Sequence, residues 1–424
     1  MALLSPVRSP GTEPAPSAIS LDEKIILVAP AGSGREDKEI LRWQKRIRAG
    51  DEAGKKALGN YERLGWAYVA KARRTLDAGY YKLAEKTADV MDARCGPTDD
   101  ARLLRGHVFH NLHRFREAEA EARQLVDSRG LAFDYALLSD ALMEQGKLEE
   151  AVAACAKLMA LKPGLEAYSR AANLRWLTGD LPGAIQAMEA AVRAGSPIDA
   201  TATAWTLSRL SAYYLQAGRP DDALRVARQA ETLTTDYPPD LLAEGKAEVA
   251  LGHPELAAGP LGRAETLNPL PEYQWWLADT LRARGDAVQA GAVETKLKAR
   301  AEASDPRTYA LFLATRGAQS ALAVSLARAE LGNREDVFTE DALAWALASS
   351  GDYAGAQAAM TTALSAHTDD ARLFLHAGEI ALGRGEPAAA KGYFGRAARY
   401  RFTLTPSERS LLERRQAAPL ALAP

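Results

Sequence analysis

The stretch EQGKLEEAVAACAKLMALKP, Glu144 to Pro163, holds a glycine, an alanine five residues later and a closing proline around an apolar helical pattern. Glycine enters the left-handed conformation that ends a helix, and proline cannot continue one. The same skeleton stands at QAGRPDDALRVARQA (Gln216–Ala230) and LGHPELAAGPLGRAETLNP (Leu251–Pro269). Aligning the alanine after each turn gives Ala84, Ala118, Ala151, Ala184, Ala223, Ala257, Ala290, Ala321, Ala356 and Ala390, at intervals of 34, 33, 33, 39, 34, 33, 31, 35 and 34 residues. Twelve residues before them stand Ala72, Gly106, Ser139, Ala172, Ser211, Gly245, Ala278, Tyr309, Ala344 and Gly378. All but Tyr309 are small. Antiparallel helices approach closely only where the crossing side chains are small. Each unit therefore reads as helix, tight turn, helix. Gly79, Gly146, Gly179, Gly218, Gly252, Gly285, Gly351 and Gly385 occupy the turns, and His113 takes that place in one unit.

A period near 34, a small residue on the first helix, alanine on the second and a proline near the unit's end resemble the tetratricopeptide repeat (TPR) family. The array is similar to bacterial-type multi-repeat members. The resemblance spans roughly residues 61–402 and implies an all-α, right-handed superhelical solenoid of about ten helix-turn-helix repeats. The chain departs from the family's first-helix aromatics, retaining Phe109 and Tyr214. A lone helix pair cannot bury its apolar face, so neighbours bury it jointly. The 39-residue interval implies a longer connection around Ala194–Ala204. The segment TPSERSLLERR, from Thr405 to Arg415, starts with a helix N-cap signature and reads as a polar capping helix. The expected organisation is an extended N-terminal arm over 1–34, a helix and linker over 35–60, the solenoid over 61–402, and a capping helix and tail over 403–424.

Composition narrows the function. The 424 residues carry 53 Lys+Arg against 55 Asp+Glu, without the basic excess of a duplex-DNA binder. No apolar run reaches the roughly 18 residues of a membrane-spanning helix, so no membrane insertion is expected. Two cysteines, Cys95 and Cys155, suit a fold with no disulfide framework. The first 20 residues are proline-rich and read as a disordered arm whose removal leaves stability unchanged. They make a poor export signal. The expected location is cytoplasmic as the sequence stands, and periplasmic or secreted if a signal was removed before Met1.

Candidate chemistry is sparse. KIILVAPAGSGREDKEI (Lys24–Ile40) has the order strand, glycine loop, helix, but Arg35 and Glu36 follow Gly34 where a phosphate-binding loop needs Lys and Ser/Thr. An arm leading into a helix that docks on the first repeat is the preferred reading. RGHVFHNLHRF holds His107, His110 and His113, which do not converge with a carboxylate or thiol into a tetrahedral set. Cys155 lies at an apolar position and reads as a buried small hydrophobe. No hydrolase, metalloprotease or kinase motif is present. The chain is therefore expected to be non-enzymatic and to need no cofactor or metal.

The resemblance places a groove along the first helices, where family members hold peptides or partner proteins. Counting back from each turn, the inward-facing candidates are Arg73, His107, Asp140, Asn173, Lys246 and Asp279, with His110, Trp176 and Arg282 a turn nearer and Arg170 a turn earlier. Asn173 and Arg170 resemble half of the carboxylate clamp of chaperone-binding members; the partner Asn and Lys in neighbouring repeats are missing. Trp176, Trp205, Trp275 and Trp276 are candidates for an aromatic recognition patch or for packing between repeats. The leading expectation is a scaffold or adaptor binding a protein or peptide ligand, not nucleic acid. The alternative is a ligand- or metal-sensing solenoid using His107 and His110 or the Gly32–Gly34 loop.

Overall fold

The computed structural model describes residues 20–50, 55–75 and 77–417. The expected disorder over residues 1–19 and the end of the C-terminal tail lie outside them. Among the described residues there are helices and no strand. The chain divides into two compact units, 1–108 and 109–424.

The first unit contains α1 (Leu21–Ile26), α2 (Arg35–Ala49), α3 (Lys55–Thr75), α4 (Gly79–Cys95) and most of α5 (Asp99–Asn111). Part of the segment read as an extended arm is thus helical. The Ser20 hydroxyl caps α1, accepting from the Glu23 N–H at 3.1 Å. The arm's α1 packs on the first repeat, where the sequence predicts docking only of the helix that follows. Ile26 is fully buried, and Glu23, 3% exposed, accepts from the Tyr61 hydroxyl and from Arg94. Gln44 donates to the Ile26 and Val28 carbonyls at 3.0 and 2.8 Å. Lys71 on α3 pairs with Asp37 on α2 at 3.0 Å.

The second unit starts with the end of α5, followed by α6 (Phe115–Ser128), α7 (Ala132–Met143), α8 (Leu148–Leu161), α9 (Leu165–Leu177) and α10 (Leu181–Arg193). Next come α11 (Ala200–Gln216), α12 (Pro220–Glu231), α13 (Pro238–Leu251), α14 (Pro254–Leu267), α15 (Pro271–Ala283) and α16 (Ala287–Ser304). The last are α17 (Pro306–Thr315), α18 (Ser320–Leu331), α19 (Val337–Ser349), α20 (Tyr353–Leu364), α21 (Ala371–Gly383), α22 (Pro387–Arg399) and α23 (Pro406–Ala417). From α3 to α22 the helices form ten successive pairs, and α23 follows as the cap: an all-α solenoid.

The crossings are as close as the spacing predicts. Ser139 Oγ donates to the Ala151 carbonyl at 3.0 Å and Ser211 Oγ to the Ala223 carbonyl at 2.9 Å, each bond joining the first helix to the second. A Cβ added to Gly245 would lie 2.5 Å from Leu261, and one on Gly378 2.4 Å from Phe394. Two positions differ from the sequence reading. Ala321 is exposed, and Ala323, two residues on, is fully buried in its place. The turn there runs through left-handed Gly317 and Gln319 (φ 61° and 49°), shifting the register by two. Gly79 does not end a helix but opens α4, its N–H donating to Asp77 at 2.8 Å. His113 takes the left-handed conformation (φ 59°) where other units use glycine.

The second unit also curls onto itself. Arg334, before α19, pairs with Glu144 at the end of α7 and lies over the Phe115 ring. Thr368, before α21, donates to the Leu177 carbonyl at 2.6 Å, and Trp176 Nε1 donates to the Asp369 carbonyl at 3.3 Å. Gln216 donates to Asp370 at 2.9 Å, and Arg409 on α23 to the Val249 carbonyl at 3.3 Å. Units separated by about 190 residues in sequence therefore share a seam.

Candidate functional site

The first helices α7, α9 and α11, with the end of α5 and one residue of α10, enclose an open cavity of about 360 Å³. Four of the residues expected to line the groove meet in it: His110, Asp140, Arg170 and Asn173. The wall is completed by Ser139, Met143, Glu144, Leu165, Glu166, Ser169, Leu174, Met188, Trp205, Arg209 and Tyr213. Apolar and aromatic surface with a few placed polar groups is the usual make-up of a binding pocket.

Most of its charges are already paired. Arg170 grips Asp140 with two bonds, Nε to Oδ1 at 2.8 Å and Nη2 to Oδ2 at 2.7 Å, and donates from Nη1 to the Glu166 carbonyl at 2.9 Å. Burial opposes its charge, but Asp140 and then Glu166 more than offset this and raise the Arg170 pKa, so it stays charged. Glu144 belongs to Arg334. Asn173 Nδ2 donates to the Met143 sulfur at 3.0 Å, and its Oδ1 accepts from the Tyr213 hydroxyl at 3.4 Å, which aims the amide across the cavity. Among the described residues, one group has no hydrogen-bond partner and another, held only by Tyr213, has no counter-charge. His110 Nε2 is buried with no hydrogen-bond partner, its ring edge-on to Phe115 at 5.4 Å. The half-buried Arg209 forms no ion pair among the described residues; its guanidinium lies 5.8 Å from the Tyr213 ring centroid. Beside it Trp205 is 40% exposed.

The other expected groove residues lie elsewhere. In the first unit Arg73 and His107 bond each other at 2.8 Å, with the His107 ring 5.4 Å from Trp66. Trp176 sits next to the cavity without lining it, stacked on Phe338 at 5.3 Å and against Tyr213 at 5.8 Å. Lys246 pairs with Glu272 at 2.6 Å over the Trp276 ring. Asp279 is 2% exposed and is held by Arg316, Ser407 and Arg282, and Arg282 also reaches Glu294 at 3.1 Å. The four tryptophans form no common patch: Trp275 and Trp276 are buried at 2% and 3%.

The alternative chemistry meets specific obstacles. The Gly34 N–H, which an anion would need, donates to Asp37 at 2.9 Å, and a Cβ on Gly32 would lie 2.4 Å from the same carboxylate. The hydrogen bond from Lys71 holds the Asp37 carboxyl below its usual range despite burial. Burial, then the nearby charge of Arg334, lowers the His113 imidazole, so it is neutral at pH 7. No group of three or more His, Cys, Asp or Glu side chains among the described residues is placed to share a metal. Burial pushes the Cys155 thiol up to about 11, which leaves it a poor nucleophile. No described helix is long and apolar enough to cross a membrane.

Sequence reasoning missed Arg209, Tyr213 and Met143. One signal pointed to Arg209: it stands 14 residues before Ala223, as Arg170 stands 14 before Ala184. The 39-residue interval lengthens the following first helix, and α11 has 17 residues against 12 to 14 in α7, α9, α13 and α15. The added residues, 200–203, precede Trp205 and Arg209, which stand in the register that Glu166 and Arg170 hold on α9.

The sequence matches the tetratricopeptide repeat model over residues 103–166, 137–197, 242–306 and 342–407. No curated protein matches it significantly. Among solved structures it is similar to the human IFIT1 dimer with PPP-AAAA, at 13% identity, covering 90% of this chain and 95% of that one with a TM-score of 0.47. It is also similar to the APC/C hetero-tetramer Cut9-Hcn1, at 14% identity, 92% and 98% coverage and a TM-score of 0.38. A third is YrrB, described as a TPR protein with an unusual peptide-binding site, at 18% identity, 41% and 89% coverage and a TM-score of 0.31.

Proposed function

Because the chain belongs to the tetratricopeptide-repeat family, whose repeats build protein-interaction scaffolds, we propose that it is a non-enzymatic adaptor that captures a peptide segment of a partner protein in the cavity between α7, α9 and α11. The observation that carries this reading is that cavity. It brings a half-buried asparagine, an exposed indole and apolar walls together on first helices that close packing holds rigid. Beyond its bonds to Met143 and Tyr213 the asparagine amide keeps one N–H and one lone pair for a peptide backbone, and the indole offers a flat surface for an apolar side chain. A volume of about 360 Å³ admits a few side chains, not a folded domain. The near-balanced charge of the chain favours a protein partner over nucleic acid.

The test is a random 12-residue peptide-display selection on the full chain, followed by anisotropy titrations of the selected peptides. The double variant Asn173→Ala, Trp205→Ala is expected to bind them at least tenfold more weakly while its circular dichroism is unchanged. Peptides that bind the double variant as well as the unaltered chain place the site elsewhere and contradict the proposal.

A further inference from the structure

We infer that this cavity, on the reading just given, selects peptides in which an acidic residue stands beside a large apolar one. The Arg209 guanidinium receives the carboxylate and the Trp205 indole receives its neighbour. The inference starts from which charges are spent. Asp140 is taken by Arg170, Glu144 by Arg334, and Glu166 at the rim stands 3.7 Å from Lys162. Arg209 alone among the cavity's charged side chains has no opposite charge within 4.0 Å among the described residues. Glu272 is near enough to feel the field of Arg209, yet its hydrogen bond goes to Lys246 at 2.6 Å.

A half-buried guanidinium whose neighbour is the Tyr213 hydroxyl and ring has given up hydration without gaining a charged partner. An incoming carboxylate restores both charge and hydrogen bonds, and the planar fork favours a two-bond grip. Trp205 precedes Arg209 by four residues on α11, so the two side chains share one face of the helix. A ligand that reaches one therefore meets the other. The wall beyond them is Met143, Leu165 and Met188, apolar and adaptable in shape. A basic residue in the ligand would meet Arg209 as a like charge in a partly dry site, which is the rejecting element that specificity needs.

The test repeats the 12-residue display selection in parallel on the unaltered full chain, Arg209→Glu and Arg209→Gln, with a thermal melt of each. The unaltered chain is expected to enrich Asp or Glu next to Phe, Trp, Leu or Met. Arg209→Glu should enrich Lys or Arg at that place, and Arg209→Gln should lose the charge preference. In anisotropy titrations an acidic peptide should bind Arg209→Glu at least tenfold more weakly, and the same peptide with Lys in place of the acid should reverse that order. If Arg209→Glu fails to melt cooperatively, the comparison rests on Arg209→Gln. A charge-neutral consensus, bound equally by the Arg209 variants yet lost in Trp205→Ala, would overturn this inference and leave the cavity reading standing. Enrichment of nothing above the bare support, or of peptides insensitive to Trp205→Ala, would overturn both.

Discussion

One methyl group too many at a helix crossing is enough to push a pair apart. Ala151 is fully buried and its carbonyl accepts from Ser139 across the pair, so Ala151→Leu has nowhere to put its extra carbons. Overpacking of this kind costs about 1–3 kcal/mol. A urea melt should show that loss, and an unchanged midpoint would contradict the register. The two cysteines make a second prediction at this scale. With its thiol pushed up to about 11 by burial, Cys155 is about 0.1% thiolate at pH 8, whereas Cys95 is exposed. A disulfide-exchange reagent added to the native protein should find one fast thiol and one slow one. These small and buried positions were legible from the sequence because the repeat marks them ten times over. Arg209 was not legible in that way, since its importance lies in the carboxylate it lacks, and pairing is a property of the folded neighbourhood.

At the scale of the element, the turns separate two roles of glycine. Gly285 and Gly146 are both left-handed, at φ 91° and 69°, but only Gly146 is crowded: a Cβ there would lie 2.4 Å from the Glu335 carbonyl oxygen, while nothing lies within 4 Å of one on Gly285. Gly285→Ala should therefore cost only the left-handed penalty, about 1–2 kcal/mol. Gly146→Ala should cost more, because it also forces the seam apart, and equal losses in paired melts would contradict the close approach. The α12–α13 packing carries a pH signature. Burial, with the facing carboxylate of Glu244, pushes Glu231 up to about 7. A carboxyl raised in the fold contributes stability that is complete below the ordinary carboxylate range, and that contribution is lost as pH rises through about 7. The stability of the unaltered chain should therefore fall relative to Glu231→Gln between pH 5 and pH 8; parallel curves would contradict the pairing. Helix pairs, turns and the capping helix could be read from period and punctuation. The slip at Ala321 left a trace, the 31-residue interval and the large Tyr309, but not its cause, the left-handed Gln319 that follows Gly317 in the turn.

At the scale of the whole second unit, the seam is what the sequence concealed. Each repeat specifies its neighbour, but the small rotation per repeat that returns the chain to itself some 190 residues later leaves no mark on composition or period. Trp176 illustrates this: its inward position placed it in a groove, and the seam stacks it on Phe338 and bonds it to Asp369. Trp176→Ala should cost about 2 kcal/mol or more and speed amide exchange in both segments that meet there, 176–180 and 366–370. Exchange raised in the first segment alone would mean that the seam carries no load. The central claim is that the cavity between α7, α9 and α11 is where a partner is held. Hydrogen–deuterium exchange of the full chain, with and without a saturating peptide from the display selection, tests it most directly. The account predicts slowed exchange confined to 139–144, 165–174 and 205–213. Protection confined to the second helices of the pairs, to the first unit, or to the seam segments instead would contradict it.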